Sequence, residues 1–321
     1  MREVVRSTQA AHETLADRSI LITGGAGFVG SHIASRLPEA SEVRVLDAFT
    51  TGRPENVPDD ATIVEGDVRD DDVVAEALEG IDLVFHEAAL VSVERSVAAP
   101  ATSHRINADA TLRLLEAARD HDARVVLASS AAIYGQPETV PIPESAPKEP
   151  ASPYGLDKLT IDHYARLYHE LYGLETVALR YFNVYGPGQT AGEYSGVISA
   201  FVDKALAGED ITVHGDGGQT RDFVYVEDVV QANRKAAVTD HVGTAYNVGS
   251  GESISIRELA ELVREVTDSD SDIVHVDGRT GDIEHSEADI SKARDGLEYE
   301  PTVSIREGLE RTVEWYRTRE S

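Results

Sequence analysis

Short apolar runs alternate with longer stretches of helical period along the first half of the chain. Ile20–Thr23, Val43–Leu46, Thr62–Val64, Leu83–Glu87, Val125–Ser129 and Thr176–Tyr181 carry few charges and predict strands. Gly30–Leu37, Asp71–Leu78, Ala101–Asp120 and Pro153–Tyr172 lie between or beside them and predict helices. Strands that are apolar throughout are covered on both faces, so the pattern predicts an α/β protein with a doubly wound parallel sheet. Past Tyr181 the rhythm changes. Residues 185–220 are rich in glycine, with short elements at Gly196–Ala207 and Ile211–His214. Capping boxes at Ser255-Ile-Arg-Glu258 and Ser304-Ile-Arg-Glu307 then open two helices, the second running to Trp315. The expected organisation is an N-terminal extension at 1–18 without assigned chemistry, a nucleotide-binding domain at 19–180 and a smaller substrate-binding lobe at 181–321. Segments of that lobe are free to return to the sheet.

Composition narrows the partners. The 321 residues include 29 basic and 58 acidic side chains, a net charge of −29. A phosphate backbone would be repelled over most of such a surface, so nucleic acid is not an expected partner. No cysteine is present, which removes disulfides, thiol nucleophiles and Cys-ligated metals, and no metal site is expected. No apolar run approaches the roughly 18 residues of a membrane span, and the first residues lack the apolar segment of a signal peptide. The expected location is the cytoplasm. Acidic residues are spread along the whole chain, and 24 arginines stand against five lysines. An evenly acidic, lysine-poor chain resembles proteins adapted to molar salt, where self-repulsion is screened beyond about 3 Å. The alternative is an acidic protein of ordinary cytoplasm.

The first strand runs into Thr23-Gly-Gly-Ala-Gly-Phe-Val-Gly30 and then a helix. Gly24, Gly27 and Gly30 allow a tight turn, close approach of a pyrophosphate and close helix–strand packing, and the helix N-terminus favours phosphate charge. Asp47 ends the next strand at the spacing of a ribose-binding carboxylate, and its charge favours NAD over NADP. Downstream, Tyr154-Gly-Leu-Asp-Lys158 opens a helix after Ser152 and Pro153, with Tyr154 and Lys158 on one face. A phenol of pKa near 10 is a poor base. A neighbouring ammonium, helped by a cationic nicotinamide ring, is expected to lower that value. Tyr and Lys at this spacing also occur by chance on many helices. Ser129-Ser130-Ala-Ala-Ile-Tyr-Gly135 follows a strand, where loops line the ligand crevice of an open sheet. A serine hydroxyl there can bond the same sugar oxygen as Tyr154.

These motifs, with Gly66-Asp67-Val68, His86-Glu-Ala-Ala89 and Arg180-Tyr-Phe-Asn-Val-Tyr-Gly-Pro187, resemble the extended short-chain dehydrogenases. Within these the chain is most similar to UDP-glucose 4-epimerases and other nucleotide-sugar 4-epimerases, from about Ser19 to its end. The resemblance implies a Rossmann-like fold, bound NAD and a catalytic set of Ser130, Tyr154 and Lys158. It places Asp67 and Val68 at the adenine, and Ala88 and Ala89 at the cofactor backbone. Phe28, Val29, Ser129 and Tyr181 are implied at the cofactor too. Asn107 falls where the family has a helix Asn near the cofactor, and equally suits a structural cap.

For the substrate, the resemblance puts Asn183 and the guanidinium groups of Arg221 and Arg279 at the diphosphate, with Asp282 at ribose hydroxyls; the chemistry suits each. Thr212 and His214 match positions flanking the base, although a lone His is usually structural. Ser286 falls beside the sugar pocket, where a small residue leaves room for a 2-acetamido group. Two positions depart from the pattern: Ala48 stands where many relatives carry Asn, and Val91 where some epimerases carry Lys. The implied activity is NAD-dependent epimerisation at C4 of a UDP-hexose through a 4-keto intermediate. The alternatives are a 4,6-dehydratase, decarboxylase or reductase of the same superfamily, or a non-catalytic NAD-binding regulator. Dehydratases and decarboxylases place carboxylates just after the catalytic Ser/Thr, where this chain has Ala131 and Ala132. The helices 101–120 and 153–172 resemble the pair that forms the family's homodimer interface, with Leu112, Leu115, Leu167 and Leu171 expected on their outer faces; core packing within one subunit explains the same leucines.

Overall fold

A computed structural model describes residues 14–39, 41–189, 196–278 and 283–319. Seven strands form one sheet: β1 (Ser19–Thr23), β2 (Glu42–Asp47), β3 (Thr62–Glu65), β4 (Leu83–His86), β5 (Arg124–Ser130), β6 (Thr176–Tyr181) and β7 (Thr244–Val248). Every neighbouring pair is parallel, in the order β7-β6-β5-β4-β1-β2-β3. The order reverses beside β1, which opens a crevice at the carboxyl ends of β1 and β4. β7 lies far along the chain from the other strands, so one segment of the C-terminal region does return to the sheet.

Alternate side chains along each strand enter two cores. Leu21, Leu46, Val84, Leu127 and Ala178 meet helices α2 (Asp71–Leu78), α3 (Ala110–Asp120) and α4 (Pro153–Tyr172). Ile20, Ile22, Phe85, Val126 and Leu179 meet α1 (Phe28–Ala34) and, from beyond the Rossmann segment, α6 (Val226–Ala236). A third core closes the smaller lobe, where α5 (Val197–Ala207), α7 (Ile256–Thr267) and α8 (Ile305–Arg319) surround Tyr185, Ile211 and Tyr225. Both expected caps form: Ser255 and Glu258 make the full reciprocal box, and Ser304 accepts from the Glu307 N–H. No helix among the described residues is long and apolar enough to cross a membrane.

The structure corrects four expectations. The helix expected over 101–120 is broken by a π-turn at Arg105–Asp109, which turns Asn107 inward. Leu115 is fully buried against the sheet and Leu112 packs on the same core, so neither forms an outer face; Leu167 and Leu171 are exposed. The 1–18 segment is not wholly appended, because Leu15 is buried in the core under α1 and its carbonyl accepts from Ser41. The last helix extends past Trp315 to Arg319.

Candidate active site

The turn after β1 is built by crowding. Gly24 has φ of +68°, and a β-carbon there would lie 2.7 Å from the Ala88 nitrogen. One on Gly30 would collide with the Gly24 carbonyl oxygen. Gly27 caps α1 in extended conformation with no side chain over the helix end, and Phe28 and Val29 form its first turn. Asp47 sits beside this turn at the end of β2; its carboxylate accepts from the Ala26 N–H at 3.0 Å and the Phe49 N–H at 2.8 Å. Each oxygen keeps a lone pair for a ribose hydroxyl. A turn with no room for a Cβ at Gly24 or Gly30 and a carboxylate at the second strand fit a dinucleotide. Val68 is buried in the core with Leu46 and Val74, and Asp67 is held below the usual carboxylate range mainly by its hydrogen bonds from Arg69.

The end of β4 is braced from behind. Thr111 donates its hydroxyl hydrogen to the Asn107 carbonyl, so its oxygen accepts from His86 Nε2, and His86 Nδ1 accepts from Thr23. Burial, with the Lys158 charge, pushes His86 down to about 3, so it stays neutral. Asn107 brackets Leu90, accepting from its N–H at 2.8 Å and donating to its carbonyl at 3.0 Å. This fixes the loop that carries Ala88 and Ala89, and gives Asn107 a structural role as the brace of that loop. The chain of bonds continues through Ser103 to the buried carboxylate of Asp157, which also meets His104.

Ser130 ends β5 and faces Tyr154. Ser152 caps α4 by accepting from Gly155, Pro153 takes the first position, and Ser96 accepts from the Tyr154 N–H, which together set Tyr154 on the first turn. The Ser130 hydroxyl stands close enough to the Tyr154 phenol to favour its ionised form. Lys158, one turn on, donates to the Ala128 carbonyl at 2.7 Å, with its ammonium 5.9 Å from the Tyr154 ring centre. Burial brings Lys158 down to about 8. The expectation that the ammonium lowers the phenol is not met in the protein alone. Burial raises Tyr154 above its ordinary value and the charge of Glu87 adds to this, while the Ser130 hydroxyl pulls the other way. Ser129 is turned from the crevice and donates to Asp162, which is gripped by Arg180 at 2.8 Å. Tyr181 ends β6 and donates to Glu87 at 2.9 Å.

In the smaller lobe, three expected substrate residues converge on Thr220–Asp222. Asn183 donates its side-chain N–H to the Asp222 carbonyl at 2.8 Å, the Ser286 N–H donates to the Thr220 carbonyl, and Arg221 lies between. Asp222, which the motifs did not single out, accepts from Ser250, Gly251 and Ala288 and ties two segments to this strand. Thr212 and His214 stand apart on a two-stranded ribbon, Thr212 accepting from Lys204 and His214 meeting the Asp277 carbonyl. Arg279 and Asp282 lie outside the described residues. Sequence reasoning also passed over Glu87 and Asn233; a charged residue inside the otherwise small, neutral run after His86 was the available signal.

A doubly wound sheet with a glycine turn at its switch point and a Ser, Tyr and Lys group at the ends of β5 and α4 defines a dehydrogenase-type enzyme. The chain belongs to the NAD dependent epimerase/dehydratase family, whose profile matches residues 20–249, and NAD is its cofactor. It is 39% identical over 302 residues to a putative UDP-glucose 4-epimerase of Methanocaldococcus jannaschii, covering 93% of this chain and 98% of that one. It is 34% identical to a UDP-N-acetyl-alpha-D-glucosaminuronate decarboxylase of Bacillus cytotoxicus, over 92% of this chain and 97% of that one. The UDP-glucose 4-epimerase of Thermotoga maritima, solved with UDP-glucose, superposes with a TM-score of 0.92 at 37% identity, over 94% and 100% of the two chains.

The crowding at Gly30 makes a direct prediction. Gly30→Ala must push α1 away from the Gly24 carbonyl, and is expected to weaken NAD binding at least tenfold, about 1.4 kcal/mol. Calorimetric titration of the variant with NAD checks this; an unchanged Kd would contradict the role of the turn.

Proposed function

We propose that this enzyme interconverts C4 epimers of a nucleotide sugar of the UDP-glucose/UDP-galactose type. The observation that carries the reading is the Ser130, Tyr154 and Lys158 group followed by Ala131 and Ala132. This equips the site to move a proton at the C4 oxygen and leaves those two positions without the acid that chemistry at C5 or C6 calls for. The decarboxylase relative shares the first oxidation, so product identity is the deciding measurement.

NAD, when bound, would supply the hydride acceptor and donor for the oxidation and reduction at C4. Gly24, Gly27 and Gly30 would hold its pyrophosphate, Asp47 its ribose, Asp67 and Val68 its adenine side, and Ala88, Ala89 and Tyr181 the remainder. Tyr154, once ionised, takes the C4 hydroxyl proton, and Ser130 orients the same oxygen. Lys158 favours the phenolate, and the cationic nicotinamide adds to this. The 4-keto sugar then turns about its diphosphate link, and Tyr154 returns the proton when the opposite face is reduced. A firm hold on the nucleotide with a loose hold on the hexose suits Asn183 and Arg221, with Arg279, Asp282, Thr212 and His214 as further nucleotide contacts. The enzyme works in the cytoplasm as a homodimer at high salt. Leu156, Leu167 and Leu171 form one exposed apolar stripe along α4, and the acidic surface supports the salt requirement.

Incubation with UDP-glucose and no added cofactor is expected to give UDP-galactose by NMR. Tyr154→Phe should fold and retain NAD but lose roughly 10²–10⁴-fold in rate. UDP-xylose from UDP-glucuronate, with no UDP-galactose from UDP-glucose, would replace the epimerase reading with a decarboxylase.

Ser286 is small and buried, with its N–H on the carbonyl of Thr220, the residue before Arg221. UDP-N-acetylglucosamine should therefore be epimerised with kcat/KM within about tenfold of UDP-glucose. Ser286→Tyr should suppress the acetamido substrate and spare the plain hexose, since an overpacked pocket is poorly tolerated. Absence of turnover of the N-acetylated sugar by the wild type refutes this.

In molar KCl, light scattering should give twice the chain mass, and Leu167→Glu with Leu171→Glu should give the monomer. Thermal stability should fall as KCl is diluted; equal stability at low and high salt would count against the salt adaptation.

A further inference from the structure

Glu87 takes no part in the reaction described above, yet strand register puts its carboxylate beside the groups that do. His86 pairs with Leu127 across β4 and β5, so Glu87 follows beside Ala128, whose carbonyl holds the Lys158 ammonium. Glu87 continues the alternation of Phe85, on the face covered by α1 and α6, whereas Tyr154 and Lys158 arrive on α4 from the other face. The carboxylate and the ammonium therefore approach the end of β5 from opposite faces, near enough for each to feel the other's charge.

The carboxylate is held. Tyr181 donates its hydrogen to Glu87 Oε1 at 2.9 Å, and Asn233 of α6 donates to the Tyr181 oxygen at 2.7 Å. Asn233 is fully buried, and its amide nitrogen also donates to the Val229 carbonyl, which fixes which side of the amide faces Tyr181. That orientation leaves Asn233 Oδ1 without a partner among the described residues. The arrangement forgoes one hydrogen bond and keeps the Tyr181 hydrogen directed at Glu87. It offers Glu87 a donor, the partner an ionised carboxylate needs. A half-buried charge at the end of an apolar strand is costly unless it is so partnered.

We propose that Glu87 is a positioning residue for proton transfer: held by Tyr181 and Asn233, its carboxylate offsets the Lys158 ammonium and thereby sets how readily Tyr154 gives up its proton. This rests on the reading of Tyr154 as the acid–base group. The groups facing Glu87 are Tyr181 from β6 and Lys158 and Tyr154 from α4, with Asn233 from α6 behind Tyr181. Burial pushes Glu87 up to about 7, against the Tyr181 bond and the Lys158 charge. The sign follows. With Glu87 ionised the phenol keeps its proton more firmly. With Glu87 neutral, Lys158 acts with less opposition and the phenol ionises at lower pH. A base held too acidic would take the sugar proton poorly, and one held too basic would not be ionised, so the offset tunes Tyr154 to its working pH.

The test is carbon-13 NMR of the NAD-loaded protein, with label in the tyrosine rings and glutamate carboxyls. Tyr154→Phe and Glu87→Gln identify the two resonances. The Glu87 carboxyl is expected to titrate near neutral pH. At a fixed pH on the Tyr154 titration, Glu87→Gln should raise the phenolate-to-phenol ratio by about three- to tenfold, and Glu87→Asp should restore most of the wild-type ratio. Tyr181→Phe, which removes only the donated bond, should move the Glu87 midpoint upward. An unchanged Tyr154 ratio in Glu87→Gln that still binds NAD overturns the proposal. If Glu87→Gln does not fold, Tyr181→Phe decides: an unmoved Glu87 midpoint overturns it. No sugar is needed for these readouts, so they hold whether or not the sugar product is an epimer. Lost epimerisation with intact titrations would count against the proposed reaction alone.

Discussion

Backbone crowding at the turn after β1 is the constraint from which the rest of the site follows. Gly24 presses against the backbone of Ala88, and Gly30 presses against the carbonyl of Gly24. The first contact brings the end of β4 up to the turn, and the second brings α1 down onto it. No side chain can enter either contact, so β1, β4 and α1 are held close together at the turn. Backbone fills the space a side chain would need at both positions, so the glycines are what allow the strand ends and the helix to close on one another.

The order of the sheet converts that local contact into an active centre. β4, β5 and β6 are adjacent and parallel, so the residues just past their ends share one rim. Glu87, Ser130 and Tyr181 stand along that rim, and α4 delivers Tyr154 and Lys158 to it from the opposite face from α6. The rim is braced by polar groups with few alternatives. His86 is locked between two threonines, Asn107 brackets the loop after β4, and Asp162 is gripped by Arg180 beneath Ser129. Buried polar networks of this kind favour one arrangement because any other strands a donor or an acceptor. The smaller lobe uses the same device once, where Asp222 gathers the 250–251 and 288 segments around the strand bearing Arg221.

The charges of the centre work in opposition. Burial alone would make Lys158 a weaker cation, Glu87 a weaker acid and Tyr154 a weaker acid still. Lys158 and Glu87 restore one another's ionised forms, and Tyr154 lies in the field of that pair. A phenol needs to be neither ionised throughout nor neutral throughout if it is to accept and return one proton in each cycle. Partial cancellation between two neighbouring charges meets that need.

The sequence alone determined the six leading strands, α2 and α4 to within a residue or so, because strand alternation and helical period are local and the caps are written in single residues such as Ser152 and Ser255. It also determined the glycine turn and the Tyr154 and Lys158 pair, since both depend on spacing within one element. What it left to tertiary structure shares one cause. β7 and α6 join the Rossmann layers from beyond residue 220, and no local pattern says which layer a distant segment will complete. The helix over 101–120 breaks because Asn107 is drawn to Leu90, a partner seventeen residues away. Leu115 faces the core and Leu167 faces outward because the sheet, which the helical period cannot see, lies on one side. The direction of the Tyr154 shift followed from burial and from Glu87, and a carboxylate on another strand becomes a neighbour only when the sheet assembles.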